Sequence, residues 1–181
     1  MKPFCKKINL DFHPLCEPPP VVKESYELIT FDYDRHASQQ LKDFCAKSGI
    51  VRCELHGFYK GPHRVKLNCH IDSPFNGERS RARINWVYGG AGSFMEWYDV
   101  REDTGQILLT TGVKFEYMSF PINNYKKLHT EYMQGPYIVE TAIAHVVHNP
   151  GPEPRWAISI VPFFKDHRCT FDDLESITTP P

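Results

Sequence analysis

Short runs of β-favouring residues, each closed by a glycine- or proline-bearing turn, recur at near-regular spacing along most of this 181-residue chain. That rhythm constrains the fold more than any other feature, because a run of four to nine residues bounded by turn formers suits a strand and is too short for most helices. Candidate strands cover residues 27–31, 50–55, 65–70, 81–88, 94–100, 107–115, 137–140, 145–149 and 156–164. The breaks fall at 60–62, 73–77, 89–92, 103–105, 135–136 and 150–154, where 15 prolines and 11 glycines supply the turn chemistry.

One helix stands out, over 38–47. Leu41, Phe44 and Cys45 recur at helical spacing, Ser38 suits the N-cap, and Gly49 sits just past the end. The class is therefore mainly β with one or two flanking helices. An antiparallel sandwich, either a jelly roll or an immunoglobulin-like arrangement, satisfies the pattern, and strand counting leaves the two open. The proline run at 18–20 separates an N-terminal arm (1–20) from a single body (21–166), and a short polar tail (167–181) closes on Pro180-Pro181.

A net charge of −1 gives no polycationic footprint, so no nucleic-acid partner is expected. No stretch approaches the roughly 20 apolar residues that span a bilayer, and the first residues lack the apolar core of a secretory signal. The expectation is a soluble, cytoplasmic protein with no membrane association. Six cysteines (5, 16, 45, 53, 69 and 169) form no Cys-x-x-Cys pair and read as reduced, small hydrophobic side chains.

Nine histidines carry more information. His70-Ile71-Asp72 ends one candidate strand and opens a turn, and His145-Val-Val-His-Asn149 lies on a later one. Nine histidines and ten aspartates produce about half a His-x-Asp by chance, so the motif alone is weak. Two imidazoles and a carboxylate with other positions left open nevertheless form the facial set that non-haem Fe(II) enzymes use. The residues equally allow a strand-capping His70 with Asp72 and His145 unrelated to it. His148 competes with His145 as the distal ligand.

Arginines on strand faces sharpen the picture. Arg155, Ala157 and Ser159 share one face, with Trp156, Ile158 and Ile160 on the other. Bulky residues mark the packed face, so the arginine face has room for a ligand. Arg81, Arg83 and Asn85 likewise lie opposite Ala82, Ile84, Trp86 and Tyr88. Guanidinium groups on such faces call for solvent or for carboxylates, which arginine grips with two parallel hydrogen bonds. A solvated outer face serves Arg81 and Arg83 as well as a functional one. Trp86 and Trp97 read as core, the glycines at 89–92 as a turn, and Lys126-Lys127 as a solvated pair.

Taken together, His70-x-Asp72, His145 to Asn149 and Arg155, ten residues after His145, resemble the Fe(II)/2-oxoglutarate-dependent oxygenases. Within them the chain is most similar to the aspartyl/asparaginyl β-hydroxylase-like branch, which includes free-proline hydroxylases. The similarity covers residues 65–161, and the run from Gly135 to Glu140 looks like the strand that precedes the distal histidine. The resemblance implies a double-stranded β-helix, that is, a jelly roll, and Fe(II) held by His70, Asp72 and His145. It implies that Arg155, helped by Ser159, binds the far carboxylate of 2-oxoglutarate. Arg83 matches the arginine that contacts the carboxylate nearer the metal, with Arg79 and Arg81 as rivals across a long loop. Asn85 stands where a histidine often lies. The implied reaction uses O₂, converts 2-oxoglutarate to succinate and CO₂, and hydroxylates an amino acid, free or in a peptide or protein. An inactive binding or structural jelly roll, and a cupin-like metalloenzyme that does not use 2-oxoglutarate, are the alternatives.

Overall fold

The computed structural model describes residues 4–22, 26–64, 69–72, 82–100, 106–109, 116–120 and 125–179. Within them the chain forms two antiparallel six-stranded sheets and three helices, a mainly β architecture. The strands are β1 (Cys5–Lys7), β2 (Tyr26–Phe31), β3 (Arg52–Lys60), β4 (Cys69–Asp72), β5 (Ala82–Gly89), β6 (Phe94–Asp99), β7 (Gln106–Leu109), β8 (Glu116–Phe120), β9 (Lys126–Tyr132), β10 (Gly135–Glu140), β11 (His145–His148) and β12 (Arg155–Phe163). The helices are α1 (Tyr33–His36), α2 (Gln39–Lys47) and α3 (Phe171–Thr178). The first sheet has the order β1-β10-β5-β12-β3-β2 and the second β7-β8-β4-β11-β6-β9. From β3 to β6, and again from β9 to β12, successive strands alternate between the sheets. None of the helices is long and apolar enough to cross a membrane.

Alternation along the strands sorts side chains into layers. Ile84 and Trp86 of β5, Ile158 and Ile160 of β12, Ile138 of β10 and Leu55 of β3 form one cluster with Leu41 and Cys45 of α2 and Phe171 and Leu174 of α3. This cluster fills the space between the first sheet and its helices. Val87, Ala157 and Val139 face the other way and meet Met95 and Trp97 of the second sheet. A third cluster, Cys69, Phe120, Ala144 and Val146, lies on the far side of β4 and β11. The first sheet is thus covered on both faces, by helices outside and by the second sheet inside.

Helix α2 begins where Ser38 accepts a hydrogen bond from the Leu41 amide at 3.2 Å. It ends at Ser48, followed by Gly49 at φ 72°, the left-handed position that glycine adopts without steric cost. Trp86 and Trp97 are both fully buried.

Several elements differ from the sequence reading. Of the run 107–115, expected as one strand, residues 107–109 belong to β7, which pairs antiparallel with β8, Leu109 opposite Glu116, and residues 110–115 lie outside the described residues. Strand β9, sequence KKLHTEY, was not anticipated. It is an edge strand with an exposed or half-buried side chain at every position, and such a strand needs no hydrophobic alternation. The arm and the tail are integral to the body. β1 pairs with β10, Ile8 and Leu15 enter the helix-side cluster, and α3 docks Phe171 and Leu174 into it. Helix α3 starts with a capping box between Thr170 and Asp173, a local signal that the polar composition of the tail obscured. The turns expected at 73–77 and 103–105, the start of the strand at 65–70, and Pro180-Pro181 lie outside the described residues.

Because Phe171 is fully buried among the helix-side residues, Phe171→Ala is expected to lower the unfolding free energy by about 3–5 kcal/mol. Denaturant unfolding monitored by circular dichroism measures this, and an unchanged midpoint would detach α3 from the core.

Candidate metal centre

The site begins with two strands laid side by side. β11 lies between β4 and β6, and its pairing with β4 puts His145 directly opposite His70. Residues directly opposite in an antiparallel pair point to the same face, and the two imidazole rings have centroids 4.5 Å apart. Asp72 lies two residues beyond His70, so alternation brings it to the same face. Its Oδ1 is 3.5 Å from His70 Nε2 and 3.9 Å from His145 Nε2. The three ligand atoms all lie within 4.8 Å of one another. Adjacent ligands on a metal with bonds near 2.1 Å stand about 3 Å apart, so small side-chain rotations suffice to converge them on one ion.

The electrostatics suit a cation. His145 Nδ1 lies 2.9 Å from the Ile143 carbonyl oxygen. A carbonyl only accepts, so Nδ1 carries the proton and Nε2 turns its lone pair toward Asp72. Burial, and then His70, push the His145 imidazole down to about 4 against the pull of Asp72. It is therefore neutral, the form that ligates, at physiological pH. Burial raises the Asp72 carboxyl, but Arg83 foremost, then His145 and His70, outweigh that effect and hold it below its ordinary range. Arg83 Nε meets Asp72 Oδ2 at 3.1 Å with both groups buried. That contact leaves Oδ1, the oxygen nearer the histidines, on the metal side.

A pocket opens beside this triad, lined by Phe58, Met95, Val147 and Ala157 as well as by polar groups. His70, Asp72, Arg83, Asn85, His145 and Arg155 all lie on it, so six of the seven site residues expected from the sequence meet in one place. Ser159 is the exception. It shares the face of Arg155 and Ala157 but sits opposite Asn85 and His56, beyond the lining. His148, the rival ligand, turns to the other side of β11, where Nε2 lies 2.9 Å from Glu96 Oε2 and the ring stacks on Phe94. Arg83 is buried and inward, which removes the solvated-face reading for it. Arg79 and Arg81 lie outside the described residues.

Lys60 is the lining residue that sequence reasoning missed. It ends β3 directly opposite Arg155, and both side chains are only 3% exposed. Its ammonium donates to the Val147 carbonyl oxygen. Burial first, then Arg155 and Arg64, push Lys60 down to about 7, and burial pushes Arg155 down to about 10. Among the described residues no carboxylate pairs with either cation, and Arg155 Nε has no hydrogen-bond partner. The backbone clamps this end of the pocket. Asn149 donates to the Gly61 and Glu153 carbonyls at 2.9 and 2.8 Å, tying the end of β3 to the start of β12. Gly90, at φ 57°, packs so close that a Cβ there would stand 2.7 Å from Arg155 Cβ.

Comparison of the chain with models of known protein families finds no match, and comparison with curated proteins finds none.

The geometry predicts that Mn²⁺, a redox-stable probe, stabilises the protein by about 2.7 kcal/mol at a hundredfold excess over its Kd. His70→Ala is expected to lose this stabilisation at little cost to the metal-free protein. Asp72→Ala should lose it too, and should also destabilise the metal-free fold by about 3–5 kcal/mol because it breaks the buried Asp72–Arg83 ion pair. Denaturant unfolding with and without metal separates the two variants.

Proposed function

We propose that this protein is an Fe(II)/2-oxoglutarate-dependent oxygenase that hydroxylates a C–H bond of an amino acid, free or within a peptide. The observation that carries the reading is the pair of buried cations, Lys60 and Arg155, at the end of the pocket that also holds the His70–Asp72–His145 triad. Like charges directly opposite in a sheet repel, and burial sharpens the cost. A dicarboxylate that chelates a metal through one end and meets both cations with the other relieves that cost. 2-Oxoglutarate has this chemistry, and the resemblance of the sequence motifs to its oxygenases points the same way.

The strand order supports reading the sandwich as a double-stranded β-helix. Eight strands give two four-stranded sets, β10-β5-β12-β3 and β4-β11-β6-β9, and β1, β2 and the β7–β8 hairpin add to their edges. The chemistry of the donor set, two imidazoles and a carboxylate, fits Fe(II). When bound there, iron supplies the oxygen activation that is coupled to conversion of 2-oxoglutarate to succinate and CO₂.

The chain's own residues prepare the site. Ile143 fixes the tautomer of His145, and Arg83 keeps Asp72 ionised and aimed. Arg155 and Lys60 orient the co-substrate by its far carboxylate, while Phe58, Met95, Val147 and Ala157 keep water from the reacting atoms. Asn85, also on the lining, offers an amide to the co-substrate or substrate. The amino-acid substrate class rests on the resemblance.

The test is succinate formation from 2-oxoglutarate by the Fe(II)-reconstituted protein, with and without O₂. Oxygen-dependent succinate that is lost in His70→Ala is the expected result. No succinate, together with no binding of 2-oxoglutarate, would sink the proposal and leave a binding protein or a metalloenzyme of another kind. Arg155→Ala should weaken 2-oxoglutarate binding by about 2–5 kcal/mol while leaving Mn²⁺ binding intact, as read by calorimetry.

Lys60 adds a pH dependence whose sign is fixed. Its ammonium predominates below about pH 7 and is lost above it. Affinity for 2-oxoglutarate should therefore fall as pH rises through 7, with binding taking up a proton on the alkaline side. Lys60→Met should bind more weakly and show a flat profile over the same range.

A further inference from the structure

A second set of metal-ligating side chains lies away from the pocket, where neighbouring edges of the two sheets meet. β1 is an edge strand of the first sheet and β9 an edge strand of the second. On β9, His129 and Glu131 are two residues apart and share a face, with His129 Nε2 3.5 Å from Glu131 Oε2. Cys5 reaches them from β1, so that its sulfur, a ring nitrogen of His129 and a carboxylate oxygen of Glu131 all lie within 4.8 Å of one another.

The group is half-buried and held in place. Phe4 stacks on the His129 ring at 5.5 Å, and Trp97 meets that ring at 5.6 Å, so the imidazole has two aromatic neighbours. Tyr137 stands near enough that, after burial, Glu131 and Cys5 both raise its hydroxyl. Sulfur, imidazole nitrogen and carboxylate oxygen are the three ligand types of zinc, and three protein ligands leave a fourth tetrahedral position for water. The pocket triad has no sulfur, so the two sites differ in the metals they favour.

We propose that Cys5, His129 and Glu131 form a zinc site that clips the edge of one sheet to the edge of the other. The inference is independent of the oxygenase reading. Burial, with Glu131 adding, pushes the Cys5 thiol up to about 12, so without metal it is protonated. Binding breaks the S–H bond, forms the Zn–S bond and releases one proton to solvent. The same Glu131 charge that disfavours a bare thiolate favours a dication. β1 pairs with β10 over only three residues, and the clip would anchor it on its other side.

Cobalt(II) titrated into the reduced protein of residues 1–181 under anaerobic conditions tests the site, because cobalt reports its ligands in its spectrum. Wild type should develop a thiolate-to-cobalt charge-transfer band in the near ultraviolet, with the intense visible bands of a four-coordinate ion, and Zn²⁺ should bleach both. The band should persist in His70→Ala, which leaves this edge untouched. It should vanish in Cys5→Ser, whose folding is checked by its circular dichroism and its retained Mn²⁺ stabilisation. His129→Ala, a second variant that spares the cysteine, should weaken cobalt binding by about a hundredfold or more. No charge-transfer band in wild type, or a band that survives in Cys5→Ser, would overturn the proposal.

Discussion

Charge buried between two sheets is the constraint on which the rest of this structure depends. Asp72, Arg83, Lys60, His145 and Arg155 are all less than a tenth exposed, and all line one pocket. Burying an ion is costly unless a partner lies within reach. Asp72 and Arg83 partner each other, and each depends on the register that brings β4 and β5 to the same interior. Among the described residues neither Lys60 nor Arg155 has such a carboxylate. The interior is therefore charge-balanced at its metal end and cation-rich at the other, and this asymmetry gives the pocket its chemical direction.

The fold can carry this interior because its apolar burial is concentrated elsewhere. The helix-side cluster takes Leu55, Ile84, Trp86, Ile138, Ile158 and Ile160 from the first sheet and covers them with α2 and α3. These residues point outward under the helices, while Val87, Val139 and Phe58 of the same strands face inward. The opposite face is left for Arg83 and Asn85 of β5 and for Arg155 and Ala157 of β12. Burial beneath the helices thus offsets the cost of a polar interior, and the small Ala157 leaves space where a larger side chain would fill the pocket. At the sheet edge, where β1 and β9 meet, Phe4 and Cys5 are only partly buried and no side chain of β9 is fully buried. There the Cys5–His129–Glu131 group would supply a cross-link that packing alone gives less strongly.

Much of this was legible before any coordinates. Helix α2 was readable because its cap, its spacing and Gly49 agree with one another. The two faces of β5 and β12 were readable because a strand alternates with a period of two, so sorting Arg155 from Trp156 needs only the sequence. His70 and Asp72 share a face for the same reason, whereas the choice between His145 and His148 waited for the structure to turn His148 to the other side of β11. Strand β9 was not legible, because an edge strand with little to bury shows no hydrophobic pattern. Lys60 was missed because it stands beside Gly61-Pro62 and so resembles a turn residue.

What the sequence determined by itself were the properties that alternation and turn chemistry dictate: a mainly β chain, the helix over 38–47, which side chains of β5 and of β12 share a face, and a His-x-Asp with a distant histidine able to ligate a metal. What only the tertiary structure decided were the meetings between strands far apart in the chain. It set His145 opposite His70, Lys60 opposite Arg155, and Cys5 beside His129. Each of these depends on a register between non-local strands, and shifting a pairing by one residue would turn every side chain to the other face. No local pattern encodes such a register. It is fixed by the packing of both sheets and the helices at once.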